Sequence, residues 1–255
     1  MRKSVARARL TAPYLRRIWL DRARIISSEA YPFCLPLFLD PDFELVFERP
    51  VTILTGENGV GKSTLLEGIA SLAGYDEAGG GKGYRPVDHR RAVEAMGGRL
   101  ADALRASWLP KVTEGWFFRA ESFFSVARYL DEAAIDVGGA PPNFLSHSHG
   151  EGFLRFFEER CRRRGLFIFD EPESALSPSR QIQFLKILTR MANEGGAQVI
   201  MATHSPLLMA YPDAQLLTVS MRAVTSTRLV DTEHFRLLRH FYADPVGFLE
   251  QALHD

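Results

Sequence analysis

This 255-residue chain has only two cysteines, no long apolar run and no excess of charge of either sign. Each of these features excludes a class of protein. The two cysteines, Cys34 and Cys161, show no C-x-x-C spacing, so we expect buried, reduced thiols rather than a disulfide framework or a zinc site. The 31 basic residues balance the 31 acidic ones, so no overall field points to nucleic acid or a membrane surface. No apolar run approaches the ~20 residues of a membrane span, and no signal-peptide pattern is present. We therefore expect a soluble, cytoplasmic protein with no transmembrane segment of its own.

Local charge is uneven at the start of the chain. Residues 1–24 hold eight Lys and Arg residues against a single acidic residue, Asp21. Such a segment fits an arm that binds phosphates, an organellar transit peptide, or a solvated tail that runs into an edge strand. We favour the tail and place it at residues 1–14.

A glycine-rich segment carries the most informative motif of the chain. It reads Gly56-Glu57-Asn58-Gly59-Val60-Gly61-Lys62-Ser63-Thr64 and matches G-x-x-x-x-G-K-[ST], the phosphate-binding P-loop. The β-branched run Val51–Thr55 precedes it and apolar residues at helical spacing follow it, so the motif joins a buried strand to a helix. Backbone N–H groups at the helix start would bind phosphate, Lys62 would reach the β- and γ-phosphates, and Ser63 would place its hydroxyl on Mg²⁺. The sequence therefore predicts a nucleotide-binding protein.

Two later strands are predicted to end in polar residues at the same edge of a parallel sheet. The apolar residues 166–169 lead into Asp170 and Glu171, and residues 197–203 lead into His204. Ligands of doubly wound sheets bind at the carboxyl ends of the strands. We expect Asp170 to hold Mg²⁺ through water, Glu171 to act as general base for the attacking water, and His204 to contact the γ-phosphate.

The remaining patterns indicate alternating helices and strands. Antiparallel strands are predicted at residues 18–20, 23–26 and 43–47, and further strands at 115–119, 216–220 and 223–230. Helices are predicted at residues 89–107, 122–134, 153–164, 181–194, 235–242 and 246–253. The glycine-rich residues 74–83 fit either a plain connector or a lid that responds to nucleotide.

The order of these motifs resembles that of ABC-type ATPases. Between the P-loop and Asp170-Glu171-Pro172 lies Ser148-His149-Gly150-Glu151, which is similar to the family's signature motif, with His for the first Gly and Glu for the usual Gln. The segment 170–172 resembles the family's Walker B motif, and His204 its switch histidine. The finer resemblance, through residues 117–124 and 202–206, is to the stand-alone RecF-like and SMC-like members, often labelled AAA-type ATPases.

The resemblance implies an α/β fold with an ABC-type head. We expect a mostly parallel core sheet flanked by helices, an antiparallel N-terminal β part, and a small helical or lid insertion at about residues 75–148, within one ATPase domain at 15–255. ATP and Mg²⁺ would lie between two copies of the chain, which implies an ATP-dependent homodimer. Ser148, Gly150 and Glu151 of one copy would contact the nucleotide bound by the P-loop of the other.

Three positions depart from the family's pattern or leave a choice open. Glu121 stands where the family has its Q-loop glutamine, and would contact Mg²⁺ or its water. Ser177 stands where the D-loop usually has an aspartate. The aromatic residue that stacks on adenine would be Tyr31 or Phe33.

Three functions remain in competition. The first is a cytoplasmic ATPase that works as an ATP-sandwiched homodimer in DNA maintenance, DNA repair or anti-phage defence, with DNA or an effector protein as partner. The second is the nucleotide-binding subunit of an ABC transporter, although the Leu-Ser-Gly-Gly-Gln signature and the Q-loop glutamine of transporters are missing. The third is an ATP-switched binding module with little turnover, against which Glu171 argues. About 80 residues separate the P-loop from Ser148, too few for a long coiled-coil arm.

Overall fold

The computed structural model describes residues 11–77, 79–82, 97–120, 149–161, 164–194 and 196–254. The strands within these ranges are β1 (Leu15–Leu20), β2 (Glu44–Val46), β3 (Val51–Thr55), β4 (Leu104–Trp108), β5 (Gly115–Arg119), β6 (Gly165–Asp170), β7 (Ala197–Ala202), β8 (Gln215–Val219) and β9 (Val224–Ser226). The α-helices are α1 (Pro36–Leu39), α2 (Lys62–Ala73), α3 (Gly97–Ala103), α4 (His149–Arg160), α5 (Pro178–Asn193), α6 (Pro206–Met209), α7 (Glu233–Ala243) and α8 (Pro245–His254). Short 3₁₀ turns lie at Arg22–Arg24, Pro172–Ala175 and Leu229–Asp231. Within the described ranges, no helix has the length and apolarity needed to cross a bilayer.

Six strands form the central sheet, in the order β5-β6-β7-β3-β8-β9. Every neighbouring pair is parallel except β8 and β9, which are antiparallel. Every residue of β3, β6 and β7 is buried, as expected where helices cover both faces of a parallel sheet. Leu54 and Ile168 pack on the side of α2, whereas Ile53 and Phe167 pack on the side of α4 and α5. The predicted parallel core flanked by helices is therefore confirmed.

The parallel strands all end at one edge of this sheet, here called the carboxyl edge. It comprises the ends of β3, β5, β6, β7 and β8 and the residues that directly follow them. The register places Arg119 of β5 opposite Asp170 of β6, and Asp170 opposite Ala202 of β7. Residues that are far apart in sequence therefore meet at this edge.

A second, antiparallel sheet has three strands in the order β2-β1-β4. The prediction of an N-terminal antiparallel part is confirmed. The prediction that the N-terminal tail runs into an edge strand is wrong, because β1, the first strand, is the central strand of this sheet. Residues 104–107, predicted as the end of a helix, belong to β4, because Leu104 is buried and pairs with Leu20 of β1. Residues 22–24, partly predicted as a strand, form a 3₁₀ turn in which the Arg22 guanidinium donates to the carbonyls of Phe38 and Asp40.

Two glutamine side chains join the two sheets. Gln198, fully buried on β7, accepts hydrogen bonds from the backbone N–H groups of Tyr14 and Leu15, both at 2.8 Å, and donates to the carbonyl of Leu15 at 2.9 Å. Gln215 on β8 accepts from the N–H of Glu48 and donates to the carbonyl of Val46, both at 2.9 Å. Tyr14, which the prediction placed in a solvated tail, is therefore buried and bound to the central sheet.

An aromatic cluster fills the core beneath α4. Phe153, Phe156 and Phe157 form an aromatic face of this helix, and all three are buried. Phe157 packs edge-on against Phe118 of β5 and Phe169 of β6, with ring centroids 4.5 and 5.0 Å away, and those two rings stack on each other. This cluster fixes α4 against the strands that end at the carboxyl edge.

Other expectations are confirmed only in part. Cys161 is buried as expected, but Cys34 is exposed, and both are free thiols. The interval 75–148, expected to hold a helical or lid insertion, contains β4 and β5, which belong to the two sheets. The predicted helix at 122–134 lies outside the described residues, as do residues 78 and 83–96.

Candidate functional site

Three glycine residues leave the backbone of the loop between β3 and α2 accessible to a ligand. Gly56, Gly59 and Gly61 have φ values of 142°, 79° and 99°, and Gly61 caps the N-terminus of α2. A Cβ on Gly56 would lie 2.1 Å from the carbonyl oxygen of Val219, so no larger residue fits there. Residues 57–59 are exposed, whereas Val60 is buried in the core and anchors the loop. The predicted strand, loop and helix are therefore present, with the free N–H groups of a helix start at the carboxyl edge.

Lys62 is folded back onto this loop. Its ammonium group donates to the carbonyl oxygens of Gly56 and Glu57, both at 2.8 Å, and the residue is 4% exposed. Burial lowers the pKa of Lys62, while Glu171 and Asp170 act in the opposite direction. A bound phosphate would offer the ammonium stronger, charged acceptors than these two carbonyls.

Ser63 and Asp170 meet directly across the edge. The Ser63 hydroxyl donates to Asp170 Oδ1 at 3.1 Å. Burial raises the pKa of Asp170 to about 6, although Arg119 and the Ser63 hydroxyl favour its charged form. A hydroxyl beside a buried carboxylate is an oxygen donor set that suits Mg²⁺, which keeps several waters and takes few protein ligands. The described ranges contain no group of three or more His, Cys, Asp or Glu side chains arranged to hold a metal.

Arg119 is a charged residue of the site that sequence reasoning missed. Its Nη1 donates to Glu67 Oε1 of α2 at 2.6 Å, and its Nε lies 3.7 Å from Asp170 Oδ2. Its position at the end of a predicted strand was a usable signal, but its partners depend on the register of β5 and β6. Together with Ser63, Asp170 and Glu171 it lines an opening of about 300 Å³.

Glu171 begins the turn after β6 and faces His204. Its backbone is left-handed, with φ of 48°, and its side chain is 43% exposed. Its Oε1 lies 3.5 Å from His204 Nε2. A half-exposed carboxylate beside an imidazole can accept a proton from a water molecule in the adjoining opening.

Two further residues that sequence reasoning missed hold His204. Glu173, in the turn after Glu171, accepts the backbone N–H of His204 on Oε1 at 2.6 Å. Nδ1 of His204 lies 2.9 Å from Nε2 of His234, which belongs to α7. Burial raises the pKa of Glu173 and lowers that of His204. Neither partner directly follows the last residue of a strand, so the rule that identified His204 could not identify them.

The two candidates for stacking on adenine occupy different environments. Phe33 is 8% exposed and packs in the core beside Leu37, so its ring is not available to a ligand. Tyr31 is 37% exposed, and its hydroxyl lies 2.6 Å from the hydroxyl of Thr64 in the first turn of α2. The structure thus leaves Tyr31 as the candidate.

The structure describes only part of the signature-like segment, from His149 onward. Ser148 and Glu121 fall outside the described residues. Gly150 lies in the first turn of α4, and Glu151 accepts a hydrogen bond from Arg180 of α5 at 2.5 Å. Glu151 and Arg180 line a groove between α4 and α5, which none of the residues of the carboxyl edge line.

Comparison with known proteins identifies two family models. Residues 143–210, which include the ends of β6 and β7, match the model described as "AAA domain, putative AbiEii toxin, Type IV TA system". Residues 38–92, which include the P-loop, match the model described as "AAA domain".

The chain is also similar to individual proteins. The thiamine import ATP-binding protein ThiQ of Cereibacter sphaeroides is 28% identical over 172 residues, which cover 59% of this chain and 69% of that protein. The hemin import ATP-binding protein HmuV of Rhodococcus jostii is 26% identical over 222 residues, 80% of this chain and 74% of that protein. The structure of CbiO1 from Clostridium perfringens, part of the ABC transporter complex CbiONQ, is 19% identical, with a TM-score of 0.43 over 83% of this chain and 91% of that one.

The names of ThiQ and HmuV state different imported compounds, but both names state that the protein binds ATP. The matched segments of the family models contain Lys62, Ser63, Asp170, Glu171 and His204, but not Arg119 or His234. The chain is therefore an ATP-hydrolysing enzyme, with two segments that match AAA domain models and with relatives among the ATP-binding proteins of the ABC type.

Proposed function

We propose that ATP is hydrolysed at the carboxyl edge with Glu171 as general base, in a homodimer that encloses the nucleotide. The observation that carries the proposal is the meeting of groups from three strand ends. Ser63 Oγ lies 3.1 Å from Asp170, and Glu171 Oε1 lies 3.5 Å from His204 Nε2. Hydrolysis of ATP needs these groups: donors for the phosphates, oxygen ligands for a cation and a base for water.

The P-loop would bind the phosphates. The N–H groups of residues 56–64 would cradle them, and Lys62 would exchange the carbonyls of Gly56 and Glu57 for the β- and γ-phosphate oxygens. Ser63 and Asp170 fit as the residues that hold Mg²⁺, with Glu121 as a further contact to the ion or its water. When bound, Mg²⁺ supplies positive charge that offsets the negative charge of the phosphate oxygens. Tyr31 would stack on adenine.

Glu171 and His204 would act on the bond that breaks. Glu171 accepts a proton from a water molecule and aligns that water for attack on the γ-phosphorus. The Nε2–H of His204 contacts the γ-phosphate on the same side. The bond between the γ-phosphorus and the bridging oxygen breaks, which releases ADP and phosphate.

The position of α4 supports a site completed by a second copy. Glu151 faces the groove shared with α5 rather than the opening beside Ser63. A chain with one P-loop and one signature-like segment can use both on the same nucleotide when Ser148, Gly150 and Glu151 act on a neighbouring copy. Loss of the γ-phosphate would then let the copies separate.

The cellular role that we propose is DNA maintenance, DNA repair or anti-phage defence in the cytoplasm, with DNA or an effector protein as partner. The resemblance to stand-alone RecF-like and SMC-like ATPases supports this role, as does the toxin–antitoxin description of the model matched by residues 143–210. The second candidate is the nucleotide-binding subunit of a transporter. It is favoured by the import functions in the names of the two relatives.

The test is the solution mass of Glu171→Gln with and without ATP and Mg²⁺, each with and without duplex DNA. We expect the mass to double with ATP and Mg²⁺, because bound ATP that turns over slowly holds the copies together. Glu194→Gln, an exposed change at the end of α5, is the control and should not accumulate dimer. A further DNA-dependent shift would support the maintenance or defence role, whereas a monomer under every condition would contradict the enclosed dimer.

A further inference from the structure

His204 is fixed at three points, one of which comes from the C-terminal part of the chain. Its backbone N–H donates to Glu173 at 2.6 Å, and its ring Nε2 lies 3.5 Å from Glu171. Its ring Nδ1 lies 2.9 Å from Nε2 of His234. The two rings are tilted by 59° with centroids 4.8 Å apart, so they meet through their nitrogens rather than by stacking.

The groups around the two rings decide where the protons lie. Nε2 of His204 is buried and faces a carboxylate oxygen of Glu171, which attracts an N–H and repels a lone pair. Burial, together with the charges of Lys62 and His234, lowers the pKa of His204 and so favours the neutral ring. A neutral ring with its proton on Nε2 carries a lone pair on Nδ1. His234 is then the donor in the contact between the rings.

We propose that His234 is a positioning residue for ATP hydrolysis: it donates its Nε2–H to Nδ1 of His204 and so holds the Nε2–H of His204 toward Glu171. This inference rests on the proposed role of His204 at the γ-phosphate. His234 acts through His204. Without it, the imidazole could rotate about its side-chain bonds, or turn its lone pair toward the carboxylate.

The first turn of α7 delivers His234 to this position. Thr232, which is 4% exposed, caps the helix: its hydroxyl donates to the carbonyl of Leu229 at 2.7 Å and accepts from the N–H of Phe235 at 3.4 Å. None of the residues of α7 is fully buried, and this cap fixes the N-terminus of the helix, next to His234. The orientation of His204 therefore depends on a helical residue that lies 30 positions later in the chain.

The test is steady-state ATPase kinetics of His234→Phe, His234→Gln and the control His240→Phe. Phenylalanine keeps the ring volume and removes the donor, whereas glutamine places an amide N–H near the position of imidazole Nε2. His240 is exposed on the same helix, so His240→Phe makes the same chemical change at a position that does not contact His204. We expect His234→Phe to lower kcat about tenfold, the order of one lost hydrogen bond, with the KM for ATP unchanged. Glutamine should restore most of the rate, and His240→Phe should match the unmodified protein.

A second pair of variants separates this inference from the role of His204. In a His204→Ala background, His234→Phe should lower kcat no further, because His234 acts through the missing ring. An equal loss in both backgrounds, or a wild-type rate for His234→Phe beside a slow His204→Ala, would overturn the inference and leave the role of His204 intact. A wild-type rate for His204→Ala would instead overturn the proposed role of His204, and the inference with it.

Discussion

At the scale of single residues, burial of the Asp170 carboxylate lowers the stability of the folded protein at neutral pH. It is 7% exposed, and burial raises its pKa to about 6 from a usual value of 3.8. Between these values the unfolded chain releases a proton that the folded chain keeps. The stabilisation from the protonated, buried carboxyl is therefore complete below pH 3.8 and is lost as the pH rises through 6.

Asp170→Asn should accordingly stabilise the metal-free protein at neutral pH. The gain at pH 8 is at most about 3 kcal/mol, and smaller where the loss of the carboxylate leaves Arg119 less well paired. At pH 5 the gain should shrink, since most of the wild-type carboxyl is then protonated in the folded state. Urea unfolding in the presence of a chelator at both pH values measures this difference.

Asp42→Asn, an exposed change, is the control and should leave stability nearly unaltered. An Asp170→Asn protein that is less stable than the wild type by the same amount at pH 5 and pH 8 would contradict the account. Mg²⁺-dependent ATP turnover should fall in this variant even where stability rises, because an amide is a weaker ligand than a carboxylate.

At the scale of elements, the side chain of Gln198 supplies buried hydrogen bonds that attach the start of β1 to the central sheet. Gln198 supplies the acceptor for the N–H groups of Tyr14 and Leu15 and the donor for the Leu15 carbonyl. All of these groups are buried, so nothing in the protein or solvent replaces the amide when it is removed.

Gln198→Leu should therefore destabilise the protein by about 3 kcal/mol or more, because it leaves two buried N–H groups without an acceptor at about 1–3 kcal/mol each. The free energy of unfolding in urea measures the loss. Gln251→Leu, on the exposed surface of α8, makes the same chemical change and should leave stability nearly unaltered. Equal stabilities of the two variants would show that β1 is held by other contacts.

The sequence correctly predicted the elements whose structure depends on the local pattern of apolar and polar residues. The buried strands β3, β6 and β7 were predictable because a continuous apolar run leads directly into polar residues. Strand β4 was not, since residues 104–107 take up strand structure by pairing with β1, far away in sequence. Tertiary pairing there outweighs a helical pattern.

At the scale of the whole molecule, the parallel sheet brings Lys62, Asp170, Glu171 and His204 to one edge. Each was predictable because each follows a buried strand or lies in the P-loop. Arg119, Glu173 and His234 were not, because their roles are defined by partners that meet only in the folded chain. The motifs thus predict the groups that we propose to react, and the three-dimensional structure adds residues that contact them.

The most direct test of the account is the ATPase rate of Glu171→Gln beside its affinity for ATP. Glutamine keeps the shape of the side chain but cannot accept the proton of the attacking water. We predict that kcat falls by about 100-fold or more while ATP still binds, with Lys62→Ala as the contrasting variant that loses binding itself. A Glu171→Gln protein that hydrolyses ATP at the native rate would contradict the assignment of Glu171 as general base.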